Sequence, residues 1–264
     1  MKKLFLLLLI PILLLCSCSK EPASLTIDIP KIGQADAILL QTTAHTVLID
    51  TGEEDDAQEL LDLFAENNIS TIDYLIITHY DKDHIGSAAR IISSVNVKHL
   101  IEPGYEKEGD LYSAYRNAAK SVETTVPKDT MSFSLDGVTF TVCPPMREYA
   151  EENDASLVIM AEYDGSKLLF TGDIMQERID DLLTDGFPLD ADFLKVPHHG
   201  KLNDSSTKLI EAVSPIGAVI TSSDKNPADS ELLGLLEAIG CDTLETRDGD
   251  ICIELRGGKL HAKQ

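Results

Sequence analysis

The stretch Thr78-His79-Tyr80-Asp81-Lys82-Asp83-His84-Ile85-Gly86 is the most informative part of the chain. It follows the apolar run 74–78, which predicts a buried strand, and leads into a predicted helix over 85–92. Four potential metal ligands lie within six residues of this stretch: His79, Asp81, Asp83 and His84. A loop at the carboxyl end of a strand turns alternate side chains into one cavity, so the first two share a direction and the last two reach a neighbouring point. The spacing therefore predicts a site for two divalent cations close together.

Two later segments have the same form, an apolar strand that ends in potential ligands. Leu169 to Asp173 ends in Gly172-Asp173, which would place the carboxylate at the same edge, between the cations. Val196 to Gly200 contains the pair His198-His199, and paired histidines at a strand end are uncommon in surface turns. Only one of the pair need bind a metal, and the other can hydrogen-bond substrate or support the ligands.

Predicted strands and helices alternate along the rest of the chain. A hairpin of 156–163 and 167–171 turns at Asp164-Gly165, and a helix is predicted over 174–183. No low-complexity linker interrupts residues 24–264. The pattern predicts a single α/β domain, and two sheets sandwiched between helices would fit it.

The three ligand segments together resemble the metallo-β-lactamase superfamily. The usual motif there is His-x-His-x-Asp-His, and here Asp81 replaces the second histidine. The resulting His-x-Asp-x-Asp-His resembles the metallo-hydrolase domain of ComEC-type DNA-uptake competence proteins. Further matching stretches run in order at 33–37, 48–52 and 153–157. The resemblance implies an αββα sandwich of the metallo-β-lactamase type, with the metal site at one edge of the two sheets, and a metal-dependent hydrolase.

The resemblance also implies roles for the candidate residues. It suggests one metal on His79 and Asp81, and a second metal on Asp83 and His84. Asp173 would lie between them, and one histidine of the pair would complete a shell; we take His198 as that ligand, although the order of the pair stays open. The predicted catalytic residues are Asp83, Asp173 and His199, and those expected to support the ligands or touch substrate are Asp50, Asn153 and Lys201.

The chain departs from the family pattern near its C-terminus. The relatives carry a Gly-His-Pro there, whereas residues 225–229 contain no histidine, and Asp229 or Ser222 are possible replacements. The remaining ligand set is rich in carboxylates and poorer in imidazole. Oxygen ligands favour harder cations, so the predicted cofactors are two divalent metal ions, Zn or Mn.

The N-terminus predicts a bacterial lipoprotein signal peptide over residues 1–17. Met1-Lys2-Lys3 is basic, Phe5 to Leu15 is apolar, and Leu15-Cys16-Ser17-Cys18 resembles the lipoprotein signal in which Cys18 is lipidated. Residues 18–23 would be a tether. An ordinary cleaved signal peptide is the alternative. We expect an extracytoplasmic protein held at the membrane by a lipid anchor on Cys18.

The charge of the chain limits its substrates. The formal net charge is −23, with 45 Asp and Glu against 22 Lys and Arg, which argues against a basic groove for duplex DNA. The predicted function is an extracytoplasmic metal-dependent hydrolase of phosphodiesters, acting on a DNA end or a small phosphodiester, with Lys201 among few nearby cations. Hydrolysis of a lactone, β-lactam or other ester is one alternative, and a non-catalytic metal-binding lipoprotein is another. No protein partner is predicted.

Overall fold

The computed structural model describes residues 24–264, in which two sheets stack face to face between two layers of helices. The signal peptide, the tether and Cys18 lie outside these residues. The first sheet has eight strands, which are, in order across it, β15 (Lys259–Lys263), β14 (Ile251–Arg256), β1 (Leu25–Ile29), β2 (Ile38–Gln41), β3 (Thr46–Ile49), β4 (Thr71–Ile76), β5 (Asn96–Ile101) and β6 (Glu123–Thr125).

The second sheet has seven strands. Across the sheet they are β13 (Asp242–Glu245), β12 (Gly217–Ile220), β11 (Phe193–Lys195), β10 (Ser166–Phe170), β9 (Val158–Tyr163), β8 (Val138–Cys143) and β7 (Met131–Leu135). In each sheet a group of parallel strands, β3-β4-β5-β6 or β10-β11-β12-β13, forms one side, and antiparallel strands form the other. Parallel strands need crossover connections, and helices provide most of them here.

In the described part of the chain, seven α-helices cover the outer faces of the sheets. They are α1 (Ala57–Glu66), α2 (Lys82–Ile85), α3 (Ala88–Ser94), α4 (Asp110–Ala119), α5 (Gln176–Asp185), α6 (Ser206–Val213) and α7 (Ser230–Ala238). Short 3₁₀ helices occupy Glu54–Asp56, Glu152–Ala155 and Pro197–Gly200. Within residues 24–264 there is no helix with the length and apolar character needed to cross a membrane.

Three apolar layers hold the sandwich together. Ile27, Ile49 and Phe170 belong to the core between the two sheets. The next side chains along the strands point the other way, so Leu48 packs with the helices on the first sheet and Leu169 with those on the second. Strands covered on both faces are apolar at nearly every position, which is why they appear in the sequence as continuous apolar runs. The predicted αββα sandwich in a single domain is confirmed.

The carboxyl ends of the parallel strands meet at one edge of the sandwich. There β4 leads into the ligand loop, β10 into Asp173 and β11 into the histidine pair. The sequence located these ends to within a few residues. At the C-terminal end, β15 pairs with β14 in the first sheet, whereas β13 belongs to the second.

Candidate metal centre

A buried aspartate holds the ligand loop against the end of β3. Asp50 accepts hydrogen bonds from the Thr78 backbone N–H at 2.8 Å and from its hydroxyl at 2.7 Å. The other contact of the Asp50 carboxylate is His84 Nδ1, at 2.7 Å. Asp50 adopts a left-handed backbone, with φ 58°, which a non-glycine residue adopts at a cost. The structure thus places Asp50 where it orients the ligand loop.

Each of three buried histidines is anchored through Nδ1. His84 bonds Asp50, His79 lies 3.1 Å from the Thr78 hydroxyl, and His199 lies 3.1 Å from the Thr221 carbonyl oxygen. A carboxylate and a carbonyl can only accept, so Nδ1 of His84 and of His199 carries the proton. The anchored rings present Nε2 to the centre, the arrangement that positions histidine as a metal ligand.

Carboxylates face these Nε2 atoms at ligand spacing. Asp173 Oδ2 lies 3.0 Å from His199 Nε2 and 3.3 Å from His84 Nε2. Asp83 Oδ2 lies 3.3 Å from His199 Nε2. On the other side, Asp81 Oδ2 lies 3.7 Å from His79 Nε2, and the His79 and His84 ring centroids are 4.0 Å apart. The ligands thus form two adjoining groups, His79 with Asp81 and His199 with Asp83. Asp173 contacts His84 and His199.

The donor set fits divalent cations. The Nε2 atoms of His79, His84 and His199 are buried and have no hydrogen-bond partner within residues 24–264. Buried polar atoms are rarely left without a partner. Tetrahedral shells with metal–ligand bonds of about 2.0–2.2 Å place neighbouring ligand atoms about 3.3–3.6 Å apart, which is close to the separations here. Asp83, His84, Asp173 and His199 would hold one cation, and His79 with Asp81 would begin a second site.

The charges in the centre also favour a cation. Burial alone would lower the pKa of His199, but the charge of Asp173 outweighs it and raises that pKa to about 9. Burial would also lower the pKa of His84, but the charges of Asp173 and Asp50 raise it well above its usual value. Burial, and then the neighbouring His84, lowers the pKa of His79 to about 3. The centre therefore attracts positive charge, and cation binding would displace protons from it.

A buried lysine lies behind Asp173. Lys195 is fully buried, and its Nζ contacts Asp36 Oδ2 at 2.5 Å, the Gly172 carbonyl oxygen at 3.2 Å and Asp173 Oδ1 at 3.4 Å. Asp36 also accepts a 2.6 Å hydrogen bond from the Thr221 hydroxyl. With one oxygen held by Lys195, Asp173 presents its other oxygen to the histidines.

The strand ends that carry these ligands have a constrained backbone. Gly172 has φ 54°, and a Cβ there would lie 2.9 Å from Thr78 Cβ. His198 and His199 both have left-handed backbones, with φ 48° and 53°. This turn directs His199 inward, where it is buried, and leaves His198 outside the ligand cluster. The structure thus places His199, and not His198, in the position that the sequence analysis assigned to His198.

Several predicted residues lie away from the cluster. Lys201 Nζ approaches the Pro227 carbonyl oxygen at 3.4 Å and Asp229 at 4.0 Å. Asp229 also accepts the Leu202 N–H, and Ser222 donates to Glu245, so neither replaces the missing histidine in the cluster. The backbone carbonyl oxygen of Asn153 accepts a hydrogen bond from the Ser156 hydroxyl.

The sequence analysis missed other residues that contact the ligands. Lys107 contacts both Asp81 and Glu152, and Lys195 contacts Asp173. Both lysines are distant in sequence from their partners. Lys195 carried one signal, a lysine at the end of an otherwise apolar strand, and Lys107 carried none.

Two sheets between helices, with a cluster of histidines and carboxylates at one edge of the sheets, are typical of a class of metal-dependent hydrolases. The chain belongs to the Metallo-beta-lactamase superfamily, whose sequence model matches residues 30–220. It is a metal-dependent hydrolase of this fold with a candidate dimetal centre.

Curated relatives agree with the predicted resemblance to competence proteins. The chain is 28% identical over 222 residues to ComE operon protein 3 of Bacillus subtilis (strain 168). The alignment covers 76% of this chain and 28% of that protein. It is 27% identical over 197 residues to Competence protein ComA of Neisseria gonorrhoeae, covering 74% of this chain and 26% of that protein. The chain therefore spans about a quarter of the length of these relatives.

A solved structure shows the same fold. The metallo-beta-lactamase fold protein YhfI from Bacillus subtilis superposes with a TM-score of 0.54 at 11% identity, over 91% of this chain and 100% of that one.

Proposed function

We propose that the chain hydrolyses phosphodiesters, either a DNA end or a small phosphodiester, with two divalent cations, Zn or Mn. The observation that carries hydrolysis is the set of three buried Nε2 atoms without partners that face Asp81, Asp83 and Asp173. The resemblance of the ligand motif to DNA-uptake competence proteins, together with the similarity to Competence protein ComA, supports the choice of a phosphodiester substrate.

The bound cations would supply positive charge that neutralises the charge developing on the scissile phosphoryl group. The residues of the chain divide the remaining work. Asp173 is buried, with one oxygen towards Lys195 and the other towards His84 and His199, so we give it a ligand role. Asp83 is 22% exposed, so its carboxylate is open to a water molecule that it can orient.

We assign the paired histidines opposite roles to those predicted from the sequence. His199 Nε2 lies between Asp83 and Asp173, which is a ligand position. His198 is partly buried, and burial lowers the pKa of its imidazole. A neutral His198 beside the cluster is therefore available to hydrogen-bond substrate.

The test is turnover of bis-p-nitrophenyl phosphate by protein loaded with Mn or Zn, beside a panel of lactones and β-lactams. Asp173→Asn keeps the size of the side chain and removes its charge. We expect kcat/KM to fall by about a hundredfold or more, because changing even an outer partner of a ligand typically costs 10–100-fold.

Asp190→Asn is the matched control, since Asp190 forms an exposed ion pair with Lys167. It should leave turnover unchanged. Turnover of lactones or β-lactams but not of phosphodiesters would support the other hydrolase class. Metal binding without turnover of any ester would support a non-catalytic metal-binding lipoprotein.

We also propose that the protein is extracytoplasmic and anchored to the membrane by a lipid on Cys18. The sequence Leu15-Cys16-Ser17-Cys18 supports this. In fractionated bacterial cells, Cys18→Ser should move the protein out of the membrane fraction, and Cys16→Ser should leave it there. The reverse pattern would contradict Cys18 as the lipidation site.

A further inference from the structure

The loop that follows β5 brings a lysine to the ligand loop. Lys107 Nζ lies 2.5 Å from Asp81 Oδ1, while the other oxygen of the same carboxylate faces His79. The ammonium also contacts Glu152, at the start of a 3₁₀ helix. Lys107 therefore links two segments that border the centre.

Tyrosines fix the position of this loop. The Tyr105 hydroxyl accepts the Tyr80 N–H at 2.9 Å, and the Tyr80 hydroxyl accepts the Gly104 N–H at 3.2 Å. The centroids of the two rings are 4.6 Å apart with the rings tilted, and the Tyr112 hydroxyl donates to the Tyr105 carbonyl oxygen. Because Tyr80 lies between two ligand residues, the loop and the ligand loop are held as one unit. A side chain on such a support is well placed for recognition.

The Lys107 ammonium has donor capacity to spare. An ammonium carries three N–H groups, and two are directed to Asp81 and Glu152. No third acceptor contacts it within residues 24–264, and the side chain is 26% exposed. The third N–H is therefore available to a group that approaches the metal centre from the solvent.

Other lysines near the centre are less suited to contact a substrate. Lys82 is 74% exposed and its ammonium bonds Glu53 at 2.9 Å, with no contact to a candidate ligand among residues 24–264. Lys201 turns towards Pro227 and Asp229. Lys195 is fully buried behind Asp173. Among residues 24–264, Lys107 alone combines contact with a candidate ligand and access from solvent.

We propose that Lys107 is a specificity-determining residue that binds a non-bridging phosphoryl oxygen of the substrate. The proposal rests on the proposed function and adds the substrate class that the centre prefers, phosphate esters over neutral esters. In a chain with a net charge of −23, an anionic substrate meets repulsion from the rest of the surface. The ammonium of Lys107 beside the metal centre offsets that repulsion, whereas a neutral lactone gains no affinity from it. Glu152 competes with the substrate for the same ammonium.

The test compares anionic and neutral ligands on Mn-loaded protein. Inorganic phosphate binding is measured by calorimetry, and KM and kcat are measured for bis-p-nitrophenyl phosphate and for p-nitrophenyl acetate. We expect Lys107→Met to raise the phosphate Kd and the phosphodiester KM about tenfold or more, the usual effect of losing a hydrogen bond to a charged group. The acetate KM and the metal content, by mass spectrometry, should not change.

Three further variants make the result specific. Glu152→Gln should lower the phosphate Kd, because it removes the competing carboxylate, and Lys107→Arg should retain most of the binding. Lys98→Met is the matched control, because Lys98 also pairs with an aspartate, at 2.7 Å, but on a remote part of β5. It should leave the phosphate Kd unchanged. Circular dichroism confirms that each variant is folded.

The outcomes separate this inference from the proposed function. An unchanged phosphate Kd and KM in Lys107→Met would overturn the inference and leave phosphodiester hydrolysis standing. Loss of metal from Lys107→Met would also overturn it, since Lys107 would then act on the ligand Asp81. If the wild type hydrolyses no phosphodiester, the proposed function fails, and phosphate binding that depends on Lys107 and Glu152 would still support the contact between Lys107 and a phosphoryl oxygen.

Discussion

The ammonium of Lys195 is fully buried between two buried carboxylates, so replacing it with methionine tests how this side of the metal centre is stabilised. Lys195 Nζ lies 2.5 Å from Asp36 and 3.4 Å from Asp173. Methionine has a similar length and can occupy the same space. The substitution therefore removes mainly the charge and its hydrogen bonds.

The cost follows from the burial of the partners. Asp36 and Asp173 are 1% and 2% exposed, so water cannot replace the lost ammonium. Removing one partner of a buried ion pair typically costs about 3–5 kcal/mol of unfolding free energy. Lys208→Met is the control, because Lys208 and its partner Asp180 are both exposed, and removing such a pair typically costs about 0–1 kcal/mol. The expected difference between the two variants is about 3 kcal/mol.

Urea denaturation of metal-free protein measures both variants against the wild type. The double variant Asp36→Asn, Lys195→Met should be less destabilised than the sum of the two single variants, because the uncompensated charge of Asp36 is gone. A loss below about 1 kcal/mol in Lys195→Met, equal to that in Lys208→Met, would refute the reasoning.

Two further predictions concern parts of the chain that support the ligand loop. Burial, together with the charges of nearby acids, raises the pKa of Asp56 to about 6. The folded protein then binds this proton more tightly than the unfolded chain, so stability is lost as the pH rises from about 4 to about 6. Urea denaturation at these pH values and at pH ~7.5 measures the effect. Above pH ~6, Asp56→Asn should be about 1 kcal/mol more stable than the wild type, a value discounted for the partial exposure of Asp56. An equal gain at pH ~4 would contradict the titration. In the second prediction, a Cβ on Gly86 would lie 2.4 Å from the Glu53 backbone, so Gly86→Ala should cost about 1–3 kcal/mol. Gly234→Ala in α7 meets nothing within 4 Å and should add up to about 1 kcal/mol, and equal effects in the two variants would contradict the packing argument.

The sequence predicted the parts of the centre that are local in the chain. The ligand loop contains four acidic or histidine side chains in a few residues, and one turn at a strand end is enough to bring them together. Asp173 and the histidine pair also end apolar strands, so their edge could be predicted from the alternation of elements. These inferences needed no knowledge of which strands are neighbours.

Contacts between distant segments could not be predicted in this way. Asp36 contacts Lys195 because the segment between β1 and β2 of the first sheet packs against the end of β11 in the second. The sequence of neither segment indicates that the two residues form a pair. Lys107 reaches Asp81 through a loop that tyrosines fold back. The roles of His198 and His199 depend on two consecutive left-handed residues, a backbone detail that residue spacing does not encode.

The most direct test of the account is the metal content of purified protein reconstituted with Zn or Mn, measured by mass spectrometry. The central claim is that His199 and Asp173 share a dimetal centre with the ligand loop. We predict two metal ions per chain in the wild type, one or fewer in His199→Ala and two in His198→Ala. A wild type that retains no metal, or a His198→Ala variant that loses as much as His199→Ala, would contradict the claim.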